Sequence, residues 1–381
     1  MRIVISAALI VAPTLFLISC GDSKNSTTDA AATADTKVFS DAPTDAPTDA
    51  PDPNSPATLF DTGLCVDRAC TATSPDVHEY TPQFALWADT AAKRRWYWLP
   101  PGTTIDTTDM DHWDFPVGTK LWKEFSRNSD ADNTPVRVET RLEMRIGAGT
   151  TAQSWFYVSY AWNSTQTDAT AVPDGVMNAN GTQHDIPSRS TCKGCHENFV
   201  PTRVLGFGAI QLDHAAGNPG DTTLASLVAG NTLTTNPSPP ATSGAPYFPI
   251  QGTDAQKAGL GYVFANCSHC HNPTSSVHNN VPMELRMTVA TVGTKAMSPP
   301  YLTALDHYAN QPTGHVTKSC TDAANVANNA ECIIKSSNPD QSDLMFHFTA
   351  PVNTGDHMPQ LGSEMIDPTG VATLTAWIMN P

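Results

Sequence analysis

Two pentapeptides constrain this chain more than anything else in it: Cys192-Lys193-Gly194-Cys195-His196 and Cys267-Ser268-His269-Cys270-His271. Each reads Cys-x-x-Cys-His, the attachment signature of a c-type haem. The spacing has a physical basis. On the first turn of a helix, two cysteines three positions apart both reach the vinyl groups along one haem edge and form thioether bonds there. The histidine that follows points under the porphyrin as the proximal iron ligand. A zinc site would want further Cys or His at ligand spacing around each motif. A thioredoxin-like pair would sit in a βαβ pattern. Neither context surrounds these motifs, so two covalently bound haem c groups are expected, with His196 and His271 as proximal ligands.

At 381 residues the chain has room for two or three domains. Its formal net charge of −16 gives no basic footprint for nucleic acid. Of nine cysteines, four belong to the haem motifs and Cys20 to an export signal. The remaining Cys65, Cys70, Cys320 and Cys332 allow three pairings. Proximity in sequence favours Cys65–Cys70 and Cys320–Cys332, disulfides suited to an oxidising compartment.

The chain in order supports export. Residues 1–19 carry Arg2 and an apolar run from Ile3 to Ile18, too short and wrongly flanked for a spanning helix. Leu17-Ile18-Ser19-Cys20 resembles a bacterial lipobox, which makes Cys20 the acylated N-terminus of a lipoprotein anchored to a membrane and facing the periplasm or cell surface. Ordinary cleavage without lipid is the alternative. Residues 20–58 are an acidic Pro/Ala/Thr/Asp linker with Asp-Ala-Pro-Thr repeated at 41–44 and 45–48, and cannot bury a core.

Residues 59–183 read as a β-rich domain, a sandwich or barrel. From Val136 to Ile146 apolar residues and Thr140 alternate with Arg137, Glu139, Arg141, Glu143 and Arg145, the period of a half-buried strand. Gly147-Ala148-Gly149 then leads into a strand from Trp155 to Trp162, so a hairpin is expected. Arg94–Leu99 and Val117–Phe125 read as further strands. Trp87, Trp96, Trp98, Trp113, Trp122, Trp155 and Trp162 either fill the core, as aromatics in strands do, or line a groove for an extended polymer.

Residues 184–253 hold the first haem motif and a short helix over Thr222–Ala229, stopped by Gly230-Asn231. Residues 254–381 read as a mainly α cytochrome c domain. Thr253 or Asp254 caps a helix leading into the second motif. Asp367-Pro368 opens a last helix with Val371, Leu374, Trp377 and Ile378 on its apolar face.

For the second haem the distal ligand is expected to be Met358, in a Met-Pro loop just before the last helix; a thioether opposite imidazole raises the reduction potential. Met345, Met365 and His357 compete. For the first haem the distal position falls to His184, to His214, to Met177, to a C-terminal residue, or stays open.

With these residues in view, the chain resembles a family of bacterial exported di-haem c-type cytochromes. The resemblance runs from about Tyr80 to the C-terminus. It rests on Ala85-Leu86-Trp87 through Trp96 and Leu99-Pro100, Trp113 to Thr119, Val138-Glu139-Thr140-Arg141, His184 to His196, Ala265 to His271, and Met358 to Gly362. It implies a β-rich N-terminal region followed by two haem segments, and no particular substrate. The expected function is single-electron transfer between redox partner proteins of the periplasm or inner membrane. The alternatives are a di-haem peroxidase-like enzyme with an open first haem, and a β-domain binding module wired to the haems.

Overall fold

Four consecutive segments rich in aromatic and β-branched residues make the strands that organise the fold. The computed structural model describes residues 55–149, 151–199, 201, 204–217, 220–237, 246–308, 332–352 and 354–381. Strands β1 (His78–Glu79), β2 (Ala92–Trp98), β3 (Lys120–Asn128), β4 (Pro135–Arg145), β5 (Trp155–Trp162) and β6 (Ala169–Ala171) form one antiparallel sheet in sequence order. The β4–β5 hairpin is the expected one, with Arg145 opposite Trp155. Among the described residues β1 and β6 do not pair, so the sheet is an open meander. That corrects the expected sandwich or barrel, and the reason lies in what covers its faces.

The outer face carries the row Trp96–Trp122–Leu142–Val158 across β2 to β5. Leu59, Leu64 and Cys65 close over it, with the Trp122 indole N–H donating to Thr62 Oγ1 at 3.0 Å. The Pro56 carbonyl accepts from the Tyr160 hydroxyl, and Ala57 O accepts from Ala171 N at 3.0 Å. The inner face carries three further rows: Lys93–Phe125–Glu139–Ala161, Arg95–Lys123–Arg141–Ser159 and Tyr97–Leu121–Glu143–Tyr157. Charged alternation in β4 implied a solvent-facing side, yet Glu139 is fully buried and Arg145 is 2 % exposed. Both faces of this sheet are covered, and no second sheet is needed. On the inner face, Phe207, Leu212, Leu224 and Leu227 pack against Tyr97, Leu121 and Tyr157.

The helical segments are α1 (Arg189–His196), α2 (Ala209–Leu212), α3 (Leu224–Ala229), α4 (Asp254–Asn266), α5 (Pro299–Thr303), α6 (Asp343–Thr349) and α7 (Pro368–Met379). The first three contribute to that inner cover, and the other four gather in a neighbouring apolar cluster. Thr223 and Ser226 form a capping box at α3, and Thr253 with Gln256 does the same at α4. Asp367 caps α7 by accepting from Thr369 N. Helices α4 and α7 cross where Gly259 meets Trp377 and Gly370 meets the Tyr262 hydroxyl, which bonds Asp367 at 2.9 Å.

The described residues lie in one compact unit, and the expected segments interlock. Gln83 N donates to Gln211 O at 2.9 Å, Ile105 pairs with Leu233, and Trp87 N donates to Asn266 Oδ1 at 2.6 Å. Phe84 packs on Gly261 of α4. Among the described residues no helix is long and apolar enough to cross a membrane. The expected signal segment, Cys20 and most of the linker lie outside the described residues.

Candidate haem-attachment site

The first motif occupies the end of α1, whose N-cap Ser188 accepts a hydrogen bond from Thr191 N at 3.3 Å. The second follows α4: Cys267 is its C-cap, and His271 N donates back to Cys267 O at 2.9 Å. Neither motif therefore opens a helix, as the spacing argument had it. Each instead closes one, and a single i to i−4 turn still carries the Cys-x-x-Cys-His geometry. None of Cys192, Cys195, Cys267 and Cys270 is in a disulfide, and all four are half-buried. Burial pushes the Cys192 thiol up to about 11 and those of Cys267 and Cys270 up to about 12.

The fold brings the two motifs together. Asn198, just past the first, hydrogen-bonds Cys270 of the second and donates to Gly194 O. Cys270 also feels the Cys195 thiol, and His269 feels the His196 imidazole. Burial, then the neighbouring His196 and Lys123, hold His269 down to about 4; burial does the same to His271. Leu361, in the Met-Pro loop, lies 3.5 Å from the position a Cβ on Gly194 would take.

The sheet's inner face forms the floor of this site. The Tyr157 ring lies 5.0 Å from the His196 ring. His196 Nδ1 is 3.4 Å from Glu143 Oε1, within ion-pair reach but too poorly aligned for a hydrogen bond. Arg141 grips buried Glu139 through two hydrogen bonds, at 3.0 and 2.6 Å, and lies within electrostatic reach of Cys192 and Cys195. Burial alone would raise the Glu139 pKa; Arg141 and the hydrogen bond to His184 outweigh it and hold it at about 2.

Several polar atoms here are buried with no hydrogen-bond partner among the described residues: Tyr157 Oη, Ser159 Oγ, Glu143 Oε1, Glu197 Oε1, His196 Nδ1 and His271 Nδ1. A folded chain tolerates few such atoms, and this concentration beside the two motifs leaves imidazole, hydroxyl and carboxylate groups for the iron and the polar edge of a bound group. Among the described residues no group of three or more His, Cys, Asp or Glu could hold a metal ion by itself. A haem needs no such group, because the porphyrin supplies four ligands and the chain one or two. The residues present fit covalent haem.

The distal candidates are dispersed. His184 is buried, with Nε2 bonded to Glu139 Oε1 at 2.7 Å and its ring against Phe125. His214 has both ring nitrogens on backbone carbonyls, those of Ala215 and Thr81, at 2.7 Å each. Met177 is 67 % exposed. Near the second motif, His357 spends its nitrogens on Ala350 O and Ser363 Oγ, and Met365 lies at the surface. Met345 is buried in the α4–α7 core. Met358 is half-buried, and its N–H donates to His347 O at 3.0 Å. His347 is itself within electrostatic reach of His271. Among the described residues Met358 is thus the candidate with no side-chain hydrogen bond and no place in the core, and its backbone bonds a residue within electrostatic reach of His271.

Of the seven tryptophans between Trp87 and Trp162, five are buried, namely Trp96, Trp113, Trp122, Trp155 and Trp162, which favours core packing over a polymer groove. Cys65 and Cys70 form a disulfide. Cys332 is disulfide-bonded as well, and its expected partner Cys320 lies outside the described residues.

Sequence reasoning did not single out Lys93, Arg95, Lys123, Arg141, Glu143 or Tyr157 as residues of this site. The available signal was the alternation in β4, whose charged side had been given to solvent. An open antiparallel sheet bearing two Cys-x-x-Cys-His turns on its inner face is the class that fold and site define. Compared with models of known protein families, with curated proteins and with solved structures, the chain matches none of them.

Proposed function

We propose that this chain is an exported di-haem c-type cytochrome that passes single electrons between redox partner proteins. Two Cys-x-x-Cys-His turns, 75 positions apart in sequence, meet in one place over a floor of orphaned polar atoms, and this observation carries the reading. Cys192 and Cys195 would hold one haem and Cys267 and Cys270 the other, with His196, His271 and Met358 as iron ligands. The haem iron supplies the change of oxidation state. The chain fixes the pair at short separation, buries the Nδ1 atoms of His196 and His271, and turns the Glu143 carboxylate toward His196 Nδ1. Two carriers held close together suit relay of single electrons.

A second reading, a di-haem peroxidase-like enzyme, draws on one observation: His184 Nε2 and both nitrogens of His214 are engaged elsewhere. That favours an open or displaceable position on the first iron.

Production in a host competent for cytochrome maturation tests both. The electron-carrier reading expects the intact mass to exceed the mature polypeptide by two haem groups, and a reduced spectrum with the sharp alpha band of haem c. Bare polypeptide mass overturns it. High-spin signal at the first haem with turnover of added peroxide would move the assignment to the second reading.

A further inference from the structure

Across β2, β3 and β4 the inner face places Arg95, Lys123 and Arg141 directly opposite one another in a single row, with Lys93 one row away. Like charges facing each other across strands destabilise a sheet, and burial sharpens the cost. Arg95 is only 7 % exposed. Among the described residues neither Arg95 nor Lys123 has a carboxylate partner; Lys123 rests on the Phe125 ring at 4.9 Å, and Lys93 donates to Leu86 O. Arg141 alone is paired, with Glu139. The next carboxylate on this face, Glu143, is turned to His196. Burial and mutual repulsion hold Lys123 well below the usual lysine range and Lys93 at about 8.

The position of the row is as telling as its charge. At one end Arg141 lies within electrostatic reach of Cys192 and Cys195, and in the middle Lys123 reaches His269 of the second motif. We propose that the Arg95–Lys123–Arg141 row, with Lys93, is a carboxylate seat that receives haem propionates and neutralises them between the two attachment motifs. This rests on the di-haem reading above. It gives Arg95 and Lys123 the direct carboxylate contact that no described residue makes with them, and it lets the row set the reduction equilibrium. Cations beside a haem favour the reduced form, which carries one positive charge fewer.

The test uses haem-loaded full-length protein carrying Arg95→Gln or Lys123→Gln, beside the charge-keeping Arg95→Lys and Lys123→Arg. Spectroelectrochemistry and the propionate bending bands in resonance Raman are the readouts. The Gln variants should shift the reduction equilibrium of at least one haem about tenfold toward the oxidised form, about 59 mV lower for one electron, with displaced propionate bands. The charge-keeping variants should stay near the wild type. Unchanged potentials and bands in the Gln variants overturn the proposal, as does an equal change in the charge-keeping ones. A crystal structure of the wild-type haem protein reads the contact without any substitution. Propionate oxygens within about 4 Å of these cations support the seat, and their absence from all four overturns it. Wild-type protein that matures without haem instead overturns the di-haem reading beneath it.

Discussion

His196 Nδ1 faces Glu143 Oε1 at 3.4 Å, and these two side chains come from elements 53 positions apart in sequence. A carboxylate at the outer nitrogen of a ligating imidazole fixes the tautomer, leaves Nε2 for iron and makes the ligand more basic. A more basic ligand favours ferric iron. Glu143→Gln should therefore raise the potential of the first haem by roughly 60 mV, a tenfold change in a one-electron equilibrium. Redox titration of the purified variant measures it, and a potential that falls or stays put would count against His196 as ligand. The direction is opposite to that expected for loss of Lys123 or Arg95, so the two effects cannot be confused.

The crossing of α4 and α7 depends on small residues. A Cβ on Gly259 would run into Trp377 at its Cβ, Cγ and Cδ2, atoms tied closely to the backbone of α7. Alanine gains about 1 kcal/mol of helix propensity over glycine, but overpacking a closed core costs about 1–3 kcal/mol. The clash should win, since Trp377 is fully buried and has nowhere to turn. Gly259→Ala is expected to lose about 1–2 kcal/mol in denaturant titration. Gly293→Ala, where nothing lies within 4 Å of the new Cβ, should not.

How much of this was legible beforehand depends on the range of the forces involved. The caps at Thr253 and Asp367, the stop of the short helix at Gly230 and the β4–β5 hairpin were readable because each is settled by residues a few positions apart. The Cys-x-x-Cys-His turns were readable because attachment chemistry dictates their spacing. The inner face of the sheet was not readable. Alternating Arg and Glu in β4 has the same pattern whether the charged side meets water or a buried polar site, and only tertiary packing by the 204–233 and 254–381 segments decides between them. The sandwich expectation failed for the same reason: a second sheet was invoked to cover a face that helices and loops cover instead.

Glu364 supplies a stability effect with a defined pH window. Partial desolvation of this otherwise exposed side chain, a hydrogen bond to Asp185 and the charges of Asp185 and Asp89 push its carboxyl up to about 7 from an ordinary 4.5. Asp89 Oδ1 is itself occupied by the backbone N–H groups of Glu364 and Met365, at 3.0 and 2.8 Å. A folded-state pKa above the unfolded one means that the protonated form is favoured by folding. The contribution is fully present below about pH 4.5 and is lost as pH rises through about 7. Glu364→Gln keeps a hydrogen-bond donor toward Asp185 but cannot ionise. It should flatten the pH dependence of unfolding between 4.5 and 7 and leave the variant more stable than the parent at pH 7. Denaturant midpoints across that window decide it, and an unchanged slope would mean the pair titrates normally.

Met358 remains the sharpest test of the second haem. Its competitors are otherwise engaged: His357 by Ala350 and Ser363, Met345 by the core around Leu374 and Trp377, Met365 by its surface position. The Met358 N–H is anchored on the carbonyl of His347, a residue within electrostatic reach of His271, and among the described residues its thioether makes no hydrogen bond. Replacing a thioether ligand removes its preference for ferrous iron. Met358→Ala should therefore abolish the near-infrared thioether-to-iron band, lower the potential of one haem and leave the other unchanged, with both haems still covalently attached. Met345→Ala should lose stability, about 2–5 kcal/mol for a buried large-to-small change, and keep the band. If the band survives Met358→Ala and disappears with Met345→Ala, the ligand is in the core rather than in the loop, and the placement of the second haem has to move toward α6.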